Sequence, residues 1–189
     1  GNISVNYLLI ATDQFISYTG VQGFNGYIVE SQSNTNKNYS FTSGQLSSYS
    51  TRCSLGEIPQ VAVGINIYGN QGQLTSQESS PVSTHLSSIS TAVSDLRLFI
   101  PGPGSITLGI DDFDTNALQS YNLNINVGRN PIYILGTNNP YSIETTYPIE
   151  VSADFTVLLN NYTTKKLKDY PFNPTTKNLT LTIKDYNTS

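Results

Sequence analysis

FTSGQLSSYSTRCSLGEIP, residues 41–59, aligns without a gap on FDTNALQSYNLNINVGRNP, residues 113–131. Six positions are identical at one constant offset (113 − 41 = 72 and 131 − 59 = 72), which is the mark of an internal repeat. The sequence therefore predicts a duplicated structural unit. The identical pairs are Phe41 and Phe113, Leu46 and Leu118, Ser48 and Ser120, Tyr49 and Tyr121, Gly56 and Gly128, and Pro59 and Pro131.

Each copy has the spacing of a β-strand. From Tyr121 to Val127 every second residue is apolar and asparagines fill the positions between, which is the pattern of a strand with one buried face. Residues 49–55 of the first copy follow the same phase less regularly. The Gly-x-x-Pro that follows predicts the end of each strand, because Gly accepts a positive φ and Pro lacks the N–H that a β-ladder needs.

The composition fits a β protein with little surface charge. Only 12% of the 189 residues are charged, whereas there are 13 Tyr and no Trp or Met. The length allows a single β domain, residues 1–189, or two repeat-bearing halves, residues 1–80 and 81–189.

The net charge of −4 and the lack of a long basic run argue against specific nucleic-acid binding. No apolar run has the length that spans a bilayer, so membrane insertion is not expected.

Alternating apolar residues predict strands along most of the chain. They cover residues 4–10, 27–29, 61–67, 96–100, 105–110, 149–159 and 179–183. Polar composition predicts loops at residues 31–38 and 70–84, and apolar residues at helical spacing predict one short helix within residues 86–96. Together these elements predict a mostly β fold, either an antiparallel β-sandwich or a partly closed barrel, with an internal duplication and one short helix.

The residues that could carry chemistry do not form a recognisable catalytic set. His85 is the only histidine and lies in a Ser/Thr-rich segment, so neither a zinc site nor a catalytic triad is expected. Cys53 is the only cysteine, and its place in the apolar phase predicts a buried thiol. Glu144, Glu150 and Asp154 could be posed as paired carboxylates for glycoside hydrolysis, but Glu150 and Asp154 fall on the polar phase of a strand. We expect no enzymatic activity and no cofactor.

An acidic segment before the second copy leaves a metal site open. The pattern Asp112-x-Asp114-x-Asn116 resembles the start of a calcium loop, in which alternate oxygen ligands converge on one centre. Ala117 stands where such a loop needs Gly, and Leu123 where it needs Glu, so an EF-hand is excluded. Two alternatives remain: an acidic turn without metal, and a looser calcium site formed by Asp111, Asp112, Asp114 and Asn116.

The second copy runs on into GRNPIYILGTNNPY at residues 128–141 and YPIEV at residues 147–151. This stretch resembles a segment of bacteriophage tail tube and related phage tail proteins. In that family an Arg-x-Pro-x-Tyr-x-Leu-Gly corner leads through Pro-Tyr to a Phe/Tyr-Pro-x-Glu-Val strand. The sequence departs from the pattern at Ile143, where the family segment has a basic residue, and Glu144 follows it.

The resemblance implies a virion structural protein that forms a homo-oligomeric ring or tube and contacts other virion proteins. Its β-sandwich subunits would stack in rings around an acidic channel, and a duplicated unit would let a threefold ring approximate a sixfold one. The argument for assembly does not depend on the family. An open sheet edge can pair with another strand, so a protein must either block that edge or use it in an interface, and closure into a ring uses it. We expect the loop at residues 70–84 and the segment at residues 160–173 to be interface elements.

A secreted or virion-surface adhesin, or a carbohydrate-binding β-sandwich module, is the alternative and would place the protein outside the cell. Tyr-rich loops with few charges suit this function, because Tyr rings offer rigid amphipathic contact area for sugars. The cluster Lys165-Lys166-Leu167-Lys168, between Tyr162 and Tyr170, is expected to be a solvated loop rather than a nucleic-acid site.

Overall fold

The computed structural model describes residues 1–9, 13, 15–19, 23–32, 35–69, 75–79, 100–102, 105–110, 113–115, 117–158 and 179–183. Within these residues the protein is mostly β, with ten strands and one 3-10 helix, Phe15–Thr19. The strands are β1 (Asn2–Leu8), β2 (Phe24–Gln32), β3 (Thr35–Ser54), β4 (Gln60–Ile67), β5 (Thr75–Ser79), β6 (Ile106–Ile110), β7 (Phe113–Thr115), β8 (Leu118–Ile132), β9 (Ser142–Val157) and β10 (Leu179–Ile183).

The strands form two antiparallel sheets. The larger sheet has seven strands, with the main path β1-β4-β3-β8-β9, and β2 and β5 pair with the first part of the long strand β3. The smaller sheet has the order β10-β6-β7. Neither path closes on itself among the described strands, so the fold is β-sandwich-like and not a closed barrel. The predicted fold class is confirmed in this respect.

One face of the larger sheet is apolar and carries two clusters of buried side chains. The first cluster lies on β3 and β4, where Phe15, Tyr18 and Phe24 pack against it. The second joins β3 and β8 to the smaller sheet through Ile106 and Leu108. The alternation of β4 explains the first cluster, because its odd-numbered residues are buried and its even-numbered ones are not. The buried members are Phe41, Leu46, Tyr49, Val61, Val63, Ile65 and Ile67 in the first cluster, and Cys53, Ile106, Leu108, Leu118 and Tyr121 in the second.

The two repeated stretches meet as neighbouring strands. β3 pairs with β8 over residues 48–54 and 120–126, and Thr51 lies opposite Leu123 at the centre (51 + 72 = 123). Tyr49 lies opposite Ile125, and Tyr121 lies opposite Cys53, so the pairing is unchanged when each residue is replaced by its equivalent (49 + 72 = 121; 53 + 72 = 125). This local two-fold symmetry is the arrangement that a duplicated strand would give.

The irregularities of the two strands also coincide. β3 has a bulge against β4 between Leu46 and Ser48, and β8 has one against β9 between Leu118 and Ser120 (46 + 72 = 118; 48 + 72 = 120). Leu46 and Leu118 are each 1% exposed, one in each core cluster. A bulge adds one unpaired residue and so changes the face of the sheet to which the following side chains point. Because both strands have their bulge at the same place, the leucine and the tyrosine of Leu-x-Ser-Tyr point toward the core in both copies.

The two copies stop being equivalent at the Gly-x-x-Pro that is predicted to end each strand. Gly56 has a φ of 82° and lies in the turn that separates β3 from β4, as predicted. The prediction that Gly128 and Pro131 end the second strand is wrong, because β8 runs through both to Ile132 and stays paired with β9. The upstream ends differ as well, since Phe41 is buried within β3, whereas Phe113 begins β7 in the smaller sheet.

Two predicted loops contain strand. Residues 31–32 end β2 and residues 35–38 belong to β3, because main-chain pairing between these strands outweighs a polar composition that reads as loop. Residues 75–79, inside the predicted loop 70–84, form β5 and pair with β3.

The predicted strands at residues 105–110 and 179–183 are confirmed as β6 and β10, and β9 begins earlier than predicted. The predicted helix within residues 86–96, and residues 96–99 of a predicted strand, lie outside the described residues.

Replacing Leu46 by Ala and, separately, Leu118 by Ala is expected to lower the free energy of unfolding by about 2–5 kcal/mol in each case, because each change leaves a cavity in a core cluster. Leu135→Ala is the matched control, since Leu135 is fully exposed and its loss should change stability by less than about 0.5 kcal/mol. Urea denaturation measures all three. If one of the two core variants were as stable as the control, the two leucines would not be equivalent.

Candidate assembly surface

The β8–β9 hairpin continues past the point where β8 stops pairing with β3. β8 pairs with β3 only over residues 120–126, whereas its pairing with β9 continues from Gly128 opposite Thr146 to Ile132 opposite Ser142. The distal part is therefore a two-stranded ribbon. Such a ribbon has little stability of its own in water, so contacts with the body of the protein must hold it.

Arg129 supplies those contacts at the base of the ribbon. Its Nε donates to the carbonyl oxygen of Leu46 at 3.0 Å, and its Nη2 donates to the carbonyl oxygens of Tyr18 and Thr19 at 3.4 and 3.3 Å. Its Nη1 donates to Thr145 Oγ1 across the ribbon. Burial lowers the pKa of Arg129, while Tyr68 and Tyr147 act in the opposite direction. One guanidinium thus ties the ribbon to β3 and to the 3-10 helix.

The tip of the ribbon exposes large apolar side chains. The turn is closed by main-chain hydrogen bonds from Tyr141 to Ile132 and from Thr137 to Ile134, and Gly136 has a φ of 88°. Contiguous exposed apolar side chains of this kind mark interaction sites on soluble proteins. We call the following residues the hairpin tip: Tyr133 (57% exposed), Ile134 (49%), Leu135 (104%) and Tyr141 (73%).

The two outer strands of the main path present open edges. β1 pairs only with β4, and β9 pairs only with β8, in the part of the chain that the structure describes. An unpaired strand edge is a row of N–H and C=O groups ready to accept another strand. β1 carries no charged residue, whereas β9 carries Glu144, Glu150 and Asp154, all of them exposed.

The predicted carboxylate pair is not brought together. Glu150 and Asp154 lie four residues apart on β9, which places them roughly 13 Å apart along a strand, beyond the ~5–9.5 Å that glycoside hydrolysis uses. Glu144 lies beyond the irregularity in the β8–β9 pairing and is further away.

The predicted calcium ligands Asp111, Asp112 and Asn116 lie outside the described residues, as does His85, and of Asp114 the structure describes only the main chain, in β7. No group of three or more His, Cys, Asp or Glu residues that could hold a metal ion occurs where the chain is described.

Sequence reasoning missed an aspartate that organises the first core cluster. Asp13 Oδ2 accepts hydrogen bonds from Tyr7 Oη at 2.7 Å and from Tyr49 Oη at 2.8 Å, and its Oδ1 accepts one from the main-chain N–H of Phe15 at 2.9 Å. Burial, and secondarily Asp13, raises the pKa of both tyrosines above the usual range. An Asp two residues before the first residue of a short helix is a capping signal that could have predicted part of this arrangement.

No model of a known protein family matches the sequence of this chain, and no curated protein matches it significantly. None of the helices within the described residues is long and apolar enough to cross a membrane.

Replacing Arg129 by Ala is expected to lower the free energy of unfolding by about 2 kcal/mol, because main-chain carbonyls of Leu46, Tyr18 and Thr19 lose a charged donor. Arg129→Lys should restore little, since an ammonium group cannot reproduce the planar fork. Hydrogen exchange should accelerate at residues 128–132. Arg52→Ala is the control, since Arg52 is exposed and its side-chain hydrogen bonds within the described residues go to Gln60. Equal losses in the Arg129 and Arg52 variants would refute the anchoring role.

Cys53 is buried, as predicted, and burial together with Glu57 raises the pKa of its thiol to about 11. Because this pKa is above the usual value of 9.0, its stabilising effect is complete below pH 9 and is lost as the pH rises through about 11. Iodoacetamide at pH 8 should therefore modify the native chain far more slowly than the urea-unfolded chain. Similar rates for both forms would contradict the buried, neutral thiol. Cys53→Ala should be less sensitive to alkaline unfolding over that range.

Proposed function

We propose that this chain is a virion structural protein, a tail tube-like subunit that assembles into rings or a tube through its sheet edges, its long loops and the hairpin tip. The observation that carries the proposal is an anchored ribbon that holds large apolar side chains in solvent. Such a feature costs stability in a monomer, because apolar area stays in contact with water. It becomes favourable when a neighbouring subunit covers it.

The position of the exposed apolar residues supports the proposal. Of the twelve large hydrophobic side chains that are exposed within the described residues, seven lie between positions 133 and 158, on the β8–β9 hairpin or directly after it. Scattered exposed apolar residues are normal, but their concentration on one hairpin is typical of an interface. The seven are Tyr133, Ile134, Leu135, Tyr141, Tyr147, Val151 and Leu158.

The two open edges support a head-to-tail contact. Pairing β9 with β9 of a second copy would place the carboxylates of Glu150 and Asp154 near their own copies, and like charges across a ladder are destabilising. Pairing β9 with β1 avoids this repulsion, because β1 is uncharged. A contact between two different surfaces, repeated around an axis, closes into a ring and leaves no free edge.

The resemblance to phage tail proteins supports the same reading. The residues that carry it are 128–141, the distal part of β8 and the turn, and 147–151, where β9 returns from the ribbon to the body of the sheet. Arg129, the basic residue of the resembling corner, is the group that fixes the ribbon to the body. Glu144 beside Ile143 is exposed and free to meet a neighbouring subunit.

A secreted or virion-surface glycan-binding module is the second candidate. The exposed rings of Tyr133, Tyr141 and Tyr147 favour it, because amphipathic rings can stack on sugars. Such a module would stay monomeric at high protein concentration, whereas a ring or tube subunit would not.

Concentrated protein is expected to assemble, with scattering mass rising with concentration and rings or tubes visible by negative-stain electron microscopy. The double variant Leu135→Ser/Tyr141→Ser should weaken assembly at least about tenfold, because it removes apolar contact area at the hairpin tip. Ile16→Ser, an exposed apolar residue on the 3-10 helix, is the matched control and should assemble normally. A chain that remains monomeric at about 1 mM, or a double variant that assembles like the wild type, would contradict the proposal.

A further inference from the structure

The polar face of the larger sheet carries rows of facing side chains that cross all five strands of the main path. Strand register defines two adjoining rows, each roughly 19 Å long because it spans four interstrand gaps of about 4.8 Å. The Arg52 row consists of Leu8, Gln60, Arg52, Asn122 and Asp154. The Ser50 row consists of Asn6, Ala62, Ser50, Asn124 and Ser152.

A groove follows these rows. It comprises two adjoining cavities of about 840 and 630 Å³, and both are lined by Leu8, Arg52, Gln60 and Asn122. Ala62 and Ser50, which have short side chains, line the smaller cavity, and Asp154 of the Arg52 row lines the larger one. Cavities of roughly 300–1,000 Å³ are the size that binds small molecules.

Arg52 is the centre of the groove and has donors to spare. Its Nε and Nη2 donate to Gln60 Oε1 at 3.3 and 2.9 Å. A guanidinium has five N–H donors, and Arg52 forms no ion pair with a carboxylate in the described part of the chain. The remaining donors are therefore available to a ligand.

The groove offers a mixed set of donors and acceptors. The amides of Gln60, Asn122 and Asn124 can both donate and accept, Arg52 donates, and Asp154 accepts. A hydroxyl group also donates and accepts, so a ligand rich in hydroxyls satisfies all of these groups at once. Apolar contact for the C–H faces of a sugar ring is available at one end, which is lined by Leu8, Ile58 and Ile100. We infer that the groove binds a neutral oligosaccharide that lies across the strands.

Other ligand classes fit the groove less well. A nucleic acid needs several cations, whereas Arg52 is the single cation of the lining and stands with two carboxylates, Glu57 and Asp154. An extended peptide gains affinity by adding to a strand edge, and a groove that crosses the strands offers no such ladder.

This site does not depend on the proposed assembly. Edge pairing through β1 and β9 uses main-chain groups at the two sides of the sheet and leaves its polar face uncovered. Every subunit of a ring would then carry one groove. The groove is also distinct from the tyrosines of the hairpin tip, so glycan binding at either place can be told apart by mutation.

The test is an NMR titration of the Leu135→Ser/Tyr141→Ser variant, at a concentration where light scattering shows it to be monomeric, with neutral gluco-, manno-, galacto- and N-acetylglucosamine oligosaccharides of about three to six sugars. At least one series is expected to shift the side-chain amide signals of Gln60, Asn122 and Asn124. Arg52→Ala and Asn122→Ala should each weaken that binding at least about tenfold. Asn66→Ala, on the same face but outside the groove, is the matched control and should bind normally.

Three results would overturn the inference. One is that no neutral oligosaccharide shifts these signals at about 10 mM. Another is that binding persists undiminished in both the Arg52 and the Asn122 variants, which would place the site elsewhere. The third is that only sulfated oligosaccharides bind. Light scattering of the same groove variants, made in the wild-type tip background, should show unchanged assembly, so loss of sugar binding and loss of assembly are measured separately.

Discussion

The antiparallel pairing of β3 with β8 about Thr51 and Leu123 is the constraint on which the rest of the structure depends. Because side chains alternate along a strand, a slip of one residue in this pairing would turn every apolar side chain of β8 to the opposite face. The observed register puts Tyr49 and Tyr121, each 3% exposed, on the same apolar face but in different core clusters. One strand pair thereby organises both halves of the core.

Comparison of the two copies outward from the Thr51–Leu123 pair shows where the second copy is longer than the first. In the first copy Tyr49 pairs with Val63, and in the second Tyr121 pairs with Phe155. The offset between these partners is 155 − 63 = 92, which is 20 more than the 72 of the repeat. The extra 20 residues form the ribbon, in which β8 pairs with β9 and no longer with β3, and Arg129 fixes the ribbon at its base. The two copies therefore share one pattern of strand pairing and differ by this ribbon.

The sequence predicts the paired strands of the sheet better than it predicts the ribbon formed by β8 and β9. Alternation marks β4, one face of which is buried, and the second half of β9, one face of which is half-buried. The constant offset of 72 indicates two strands that pair with each other in the structure. The end of β8 could not be predicted from Gly128 and Pro131, because main-chain pairing with β9 overrides both residues. Polar residues 35–38 and 75–79 read as loop, since nothing in their composition shows that β3 continues to be paired there. Arg129 and Asp13 act through contacts with residues distant in sequence, which no local pattern reveals.

Cross-linking between strand edges tests the central claim, that copies join head to tail through β1 and β9, most directly. Asn6→Cys and Ser152→Cys each place one thiol on the polar face of an outer strand, and a Cys53→Ala background removes the native thiol. When the two single variants are mixed at assembly concentration with a short bis-maleimide, the account predicts that the mixed Asn6→Cys/Ser152→Cys dimer is the main product. Cross-links between two Ser152→Cys chains in preference to the mixed pair, or no cross-links at all, would contradict it.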